Sequence, residues 1–163
     1  MVTEMLRWVA VLLLLAGTAQ AEEKEKEPSA IFEIGGAGEW ALQEGRFSLG
    51  PTVAVEFEPI KEWLEIEAGM TSLFNSGRPE WSADIIFKKP FTLSKTVEFM
   101  VGAGPEWNMT TGKVAAEFAL DFMFWPTSDR KFGWFLEPTY SYSLSKDREQ
   151  SLAVSVGLLI PIP

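Results

Sequence analysis

The chain contains no cysteine and no histidine. The first absence excludes disulfides, thiolate metal sites, cysteine nucleophiles and the lipid-modified cysteine of a lipoprotein. The second removes Ser-His-Asp triads and imidazole metal ligands. Long apolar runs are missing too: beyond residue 21 no segment reaches the roughly 20 continuous apolar residues that a membrane helix requires. Positive charge is scarce, with 14 Lys and Arg against 23 Asp and Glu and a formal charge of -9, so nucleic acid is an unsuitable partner. A membrane location would therefore have to be reached with strands.

A chain of 163 residues has room for one domain. Residues 1–21 read as a cleavable signal peptide, with a weakly basic start, an apolar run from Val9 to Ala16 and the small-residue ending Ala19-Gln20-Ala21. Residues 22–29 form a charged leader, and 30–163 are expected to be the folded barrel domain.

That domain divides into eight segments of alternating apolar and polar residues, about 9 to 13 residues each, the length a tilted strand needs to cross hydrocarbon. One parity carries Phe32, Ile34, Trp40; Phe47, Leu49, Val53, Val55, Phe57; Leu64, Ile66, Met70, Phe74; and Trp81, Ala83, Ile85, Phe87. It continues through Val97, Phe99, Val101, Trp107; Val114, Phe118, Leu120, Phe122; Phe132, Trp134, Leu136, Tyr140; and Leu152, Val154, Val156, Leu158. The opposite parity is rich in Gly, Ala, Ser, Thr and carboxylates, including Glu33, Glu56, Glu67, Asp84, Glu98, Glu117, Asp121 and Glu137. Turn chemistry places the connections at 41–45, 59–62, 75–79, 89–95, 108–112, 126–131 and 145–149. The expected fold class is all-β, an eight-stranded antiparallel up-and-down transmembrane β-barrel.

Alternation alone also fits a soluble periplasmic barrel of lipocalin type, turned inside out and binding a small apolar ligand. Three features favour the membrane. Bases are confined almost entirely to turns, whereas a solvated sheet face would carry them within strands. Large aromatics gather at strand ends, as interfacial girdles do, with Trp40, Trp81, Trp107 and Trp134 the expected lipid-interface residues and Trp125 grouped with Phe124, Phe132 and Trp134. Finally, Gly, Ala and Ser fit the narrow interior of such a barrel, which the bulky parity would overfill.

On this pattern the chain resembles the small eight-stranded outer-membrane barrels of the OmpA and OmpX type, from Ala30 to Ile162. The resemblance implies export, an outer-membrane location, lipid as the main partner and no catalytic activity. Two departures stand out. The chain ends Ile160-Pro161-Ile162-Pro163 where members usually carry a terminal aromatic residue for assembly, and the long external loops of such proteins are missing. Lacking histidine, the chain also differs from lipid A deacylase and palmitoyltransferase barrels, which depend on one.

Pro51, Pro105 and Pro138 fall inside strands, where each predicts a bulge or a lost ladder bond. The glycine groups 35–38 and 102–104 lack a following helix and suit packing better than phosphate binding. No cofactor or metal is expected. The lumen-parity acids Asp84, Glu117, Asp121 and Glu137, placed near mid-depth, are candidates for attracting small cations, because rings of carboxylates lower the entry energy of cations. A hydrated polar plug built on the same acids is the plainer expectation. The bases of this parity, Arg46, Lys88 and Lys113, are all expected near strand ends.

Overall fold

The computed structural model describes residues 28–75 and 77–162. The signal peptide and most of the charged leader lie outside the described residues. Eight strands, β1 (Ala30–Ala41), β2 (Arg46–Ile60), β3 (Leu64–Asn75), β4 (Arg78–Ser94), β5 (Val97–Asn108), β6 (Lys113–Phe124), β7 (Gly133–Ser143) and β8 (Gln150–Ile162), follow one another around a closed antiparallel barrel. Closure is made by β1 against β8 from Ala30↔Ile162 to Ala41↔Ser151, so the sheet has no free edge. Among the described residues no helix is long and apolar enough to cross a membrane.

Each strand alternates as its sequence does. Phe47, Leu49, Phe57, Phe74, Phe87, Phe118, Leu152 and Val156 lie on the exposed outer side, while Glu33, Ala37, Ala54, Glu56, Glu67, Ala119, Asp121 and Glu137 are buried. A strand of 12 residues rises about 40 Å along its own axis, or about 28 Å after a 45° tilt, enough to cross a hydrocarbon layer. Bulky side chains therefore cover the outside, and a soluble barrel with an apolar ligand cavity at its centre is ruled out by that orientation.

The strand prolines act as their chemistry requires. Pairing of β2 with β3 stops at Leu49↔Phe74 and resumes at Thr52↔Thr71, skipping Pro51. Pairing of β4 with β5 skips Pro105 between Asp84↔Glu106 and Phe87↔Ala103, and pairing of β6 with β7 skips Pro138 between Ala119↔Thr139 and Phe122↔Leu136. Register is unchanged across all three gaps, so the prolines remove ladder bonds without forming bulges. In two of them the preceding glycine lets the backbones close in: a Cβ on Gly50 would lie 1.7 Å from the Ser72 carbonyl oxygen, and one on Gly104 1.8 Å from that of Ile85. The register shifts fall elsewhere, between Phe57 and Ile60 and between Thr92 and Ser94.

One connection differs from the sequence expectation. Residues 89–94 belong to β4, where Lys-Lys-Pro suggested a turn. Lys89 pairs with Val101 and Phe91 with Phe99, and the rings of Phe91, Phe99 and Phe122 form an outer ladder with centroid separations of 6.1 and 4.9 Å. Cross-strand aromatic packing outweighs the local turn signal.

Candidate functional site

The interior is layered. At the end holding the chain termini, Met100, Met123, Trp125, Phe135 and Leu159 form an apolar plug, with Ile31 packed against it. This corrects the expectation of a lumen filled with small residues, since these side chains share the inward parity and close one end of the barrel. It also corrects the placement of Trp125 in an outer girdle. Trp125 is fully buried, donates its indole N-H to Glu98 Oε2 at 3.2 Å and lies under the guanidinium of Arg130, 5.6 Å from the ring. Arg130 reaches in from the β6–β7 connection to pair with Glu98 Oε1 at 2.8 Å.

Directly beyond the plug lies a charged layer centred on Lys88. The extension of β4 places this residue in mid-strand and only 1% exposed, where the sequence suggested a strand end. Its Nζ donates to Asp121 Oδ2 at 2.8 Å and also pairs with Glu137 Oε2 at 2.7 Å, Glu56 Oε1 at 3.4 Å and Glu67 Oε2. Four strands, β2, β3, β6 and β7, thus send a carboxylate to one ammonium carried by β4. Glu56 and Glu67 face each other directly across the β2–β3 ladder, a like-charge pairing that the ammonium offsets. Glu33 from β1 is a fifth buried acid of this layer, with one oxygen within 4.8 Å of oxygens of Glu67 and Asp121.

Above the charged layer, toward the turns opposite the termini, a cavity of about 50 Å³ is lined by Thr52, Thr71, Asp84, Glu106, Glu117 and Ser141, with Glu67 and Glu137 also reaching it. That volume suits a water or two. The four sequence-predicted acids therefore separate: Asp121 and Glu137 join Lys88, whereas Asp84 and Glu117 line the cavity. Of the other two predicted bases, Arg46 pairs with Glu44 at 2.7 Å and Lys113 with Glu149 at 2.7 Å, both at the turn end as expected. Trp40, Trp81 and Trp107 stand at that same end, and Trp134 toward the end of the termini, all about half exposed on the outer surface.

No protein-family model matches the chain, and no curated protein matches it. Solved structures do. Neisserial surface protein A is 12% identical, with 85% of this chain covering 100% of that one at a TM-score of 0.65. Ail, the attachment invasion locus protein of Yersinia pestis, is 12% identical over 82% of this chain and 98% of that one, with a TM-score of 0.57. The N-terminal barrel domain of Pseudomonas aeruginosa OprF is 14% identical over 83% of this chain and all of its own length, with a TM-score of 0.56. This chain has the fold of the small eight-stranded outer-membrane β-barrels. A designed transmembrane β-barrel matches as well, at 10% identity and a TM-score of 0.59, which locates the likeness in architecture rather than in any shared binding residue.

Proposed function

We propose that the protein is a non-enzymatic outer-membrane β-barrel, exported by its N-terminal signal and held in lipid by its outer surface, with a lumen closed to ions. The observation that carries this reading is the outer belt. Phe47, Leu49, Phe57, Phe74, Phe118 and Leu152 are among more than two dozen large apolar side chains exposed around a sheet that has no edge. In water such a surface would aggregate; against acyl chains it is the solvated face. Lipid is accordingly the principal partner, with Trp40, Trp81, Trp107 and Trp134 at its interfaces.

Closure of the lumen is supported by Ile86, Lys88, Met100, Met123, Phe135 and Leu159, all at most 1% exposed and all projecting across the bore. A narrow cation pore would need this stack to open, although the acids nearer the turns would favour cations at its mouth. Chain folded in detergent should migrate heat-modifiably, and brominated lipids should quench single-tryptophan variants retaining Trp40, Trp81, Trp107 or Trp134 but spare one retaining Trp125. A protein that stays soluble and monomeric without detergent defeats the membrane reading. In planar bilayers the wild type should pass no steady current. A cation-selective current that falls when Asp84, Glu117, Asp121 and Glu137 are neutralised would overturn the closed lumen and leave the barrel intact.

A further inference from the structure

We infer that the barrel interior holds a divalent-cation site, with Glu33, Glu67 and Asp121 as ligands and Ca2+ as the ion that suits it. One carboxylate oxygen from each of the three lies within 4.8 Å of the other two; an ion equidistant from all three stands about 2.8 Å away at that limit, so the side chains need to close by only a few tenths of an ångström to reach the 2.3–2.6 Å expected of calcium. All three residues are buried, at 2%, 4% and 1% exposure.

The orphaned oxygens point to a ligand. Lys88 donates to Oδ2 of Asp121, and Oδ1 of that carboxylate is buried with no hydrogen-bond partner. Glu33 is placed worse still: its Oε1 is likewise buried without a partner, and Lys88 forms its ion pairs with Glu56, Glu67, Asp121 and Glu137 and not with it. An unpaired carboxylate beside a dry apolar plug costs several kcal/mol unless a proton or a metal ion compensates it. The layer sets five acids against one ammonium, which pairs with four of them, leaving negative charge for a dication to balance. Carboxylate ligands completed by water suit a hard ion, and three side chains from separate strands impose no octahedral geometry, which favours Ca2+ over the strictly octahedral Mg2+. Glu67 also lines the cavity above, so water can complete the coordination sphere and the ion has an approach past Asp84 and Glu117.

The test uses full-length chain folded in detergent, stripped with chelator and titrated with CaCl2 by isothermal calorimetry, with heat-modifiable migration scored in parallel to separate loss of fold from loss of site. About one Ca2+ per barrel is expected. Glu33→Gln, which removes no partner of Lys88, should weaken binding at least about tenfold, whereas Asp147→Asn in an exposed turn should leave it within about twofold. Absence of stoichiometric uptake by folded wild type overturns the site, as does Glu33→Gln binding like wild type or Asp147→Asn losing affinity equally. Should Glu33→Gln fail to fold, the wild type decides: its thermal midpoint should rise with CaCl2 and not with NaCl of equal ionic strength. An unchanged midpoint overturns the proposal.

Discussion

Replacing Lys88 with methionine tests the central interaction of the interior most directly. The substitution keeps much of the side-chain volume and removes only the ammonium, which stands 2.8 Å from Asp121, 2.7 Å from Glu137 and 3.4 Å from Glu56, and also contacts Glu67. Among the described residues no other base pairs with these four acids. Removing one member of a buried ion pair costs about 3–5 kcal/mol, because the remaining charge keeps its desolvation penalty and loses its compensation. Lys88→Met should therefore lower the folded-to-unfolded ratio by roughly two to four orders of magnitude at neutral pH. The assay is equilibrium urea unfolding in detergent or vesicles, followed by tryptophan fluorescence. A combined variant, Lys88→Met with Glu56→Gln, Glu67→Gln, Asp121→Asn and Glu137→Gln, should recover most of the loss, since neutral amides can hydrogen-bond to one another without a counter-ion. A loss for Lys88→Met below about 1 kcal/mol, the scale of an exposed pair, would refute the reasoning. So would a combined variant no more stable than the single one, because the damage would then come from packing rather than charge.

Close backbone approach at the proline gaps predicts that Gly50→Ala and Gly104→Ala each cost about 3 kcal/mol or more, because the new Cβ would meet a carbonyl oxygen at 1.7 and 1.8 Å. Gly36→Ala, with its nearest atom 3.8 Å away, should change stability by less than about 0.5 kcal/mol; folded yield from heat-modifiable gels separates the two classes. On the outer belt, Phe118→Arg in the middle of β6 should destabilise by about 2–4 kcal/mol in vesicles and Trp107→Arg near the strand end by about 1 kcal/mol or less, read from urea titrations. Trp125→Phe removes the indole N-H given to Glu98 and should cost about 1–3 kcal/mol in the same titrations.

Sequence periodicity carried the barrel, the strand number and the division of each strand into two faces, because a period of two leaves one residue no choice of side once its neighbours are placed; which face meets lipid came from the bases confined to turns, the aromatics at strand ends and the small residues of the other parity. It also anticipated the lost pairing at Pro51, Pro105 and Pro138. Depth inside the bore was less legible. Asp121 and Glu137 were grouped with Asp84 and Glu117 by counting from strand ends, but neighbouring strands are staggered, so the levels of the bore are set by the registers of all the ladders together and not by position within one strand. Lys88 was recognised as an inward base but placed at a strand end rather than in mid-strand, because Lys89-Pro90 imitates a turn. Parity gave its side, since Ser82, Asp84, Ile86 and Lys88 fall on one face, but parity carries no information on depth. The plug was missed for a related reason: Met100, Met123, Phe135 and Leu159 are inward by parity, yet the prevalence of small residues on that face hid a local cluster at one end.

The same energetics decide between a plugged and a conducting barrel. For ions to pass, Lys88 must leave a site where four carboxylates hold it, and the apolar side chains below must part. If the withdrawn conformer costs even the lower bound of about 3 kcal/mol, it makes up less than about 1% of molecules, and the apolar plug must still open. Acids near the turns can raise the local cation concentration at the mouth of the bore, but that attraction acts above the barrier and leaves its height unchanged. A bound dication would act in the opposite direction to conduction: by neutralising Glu33, Glu67 and Asp121 it would stabilise the packed layer, so raising calcium should tighten the barrel rather than open it.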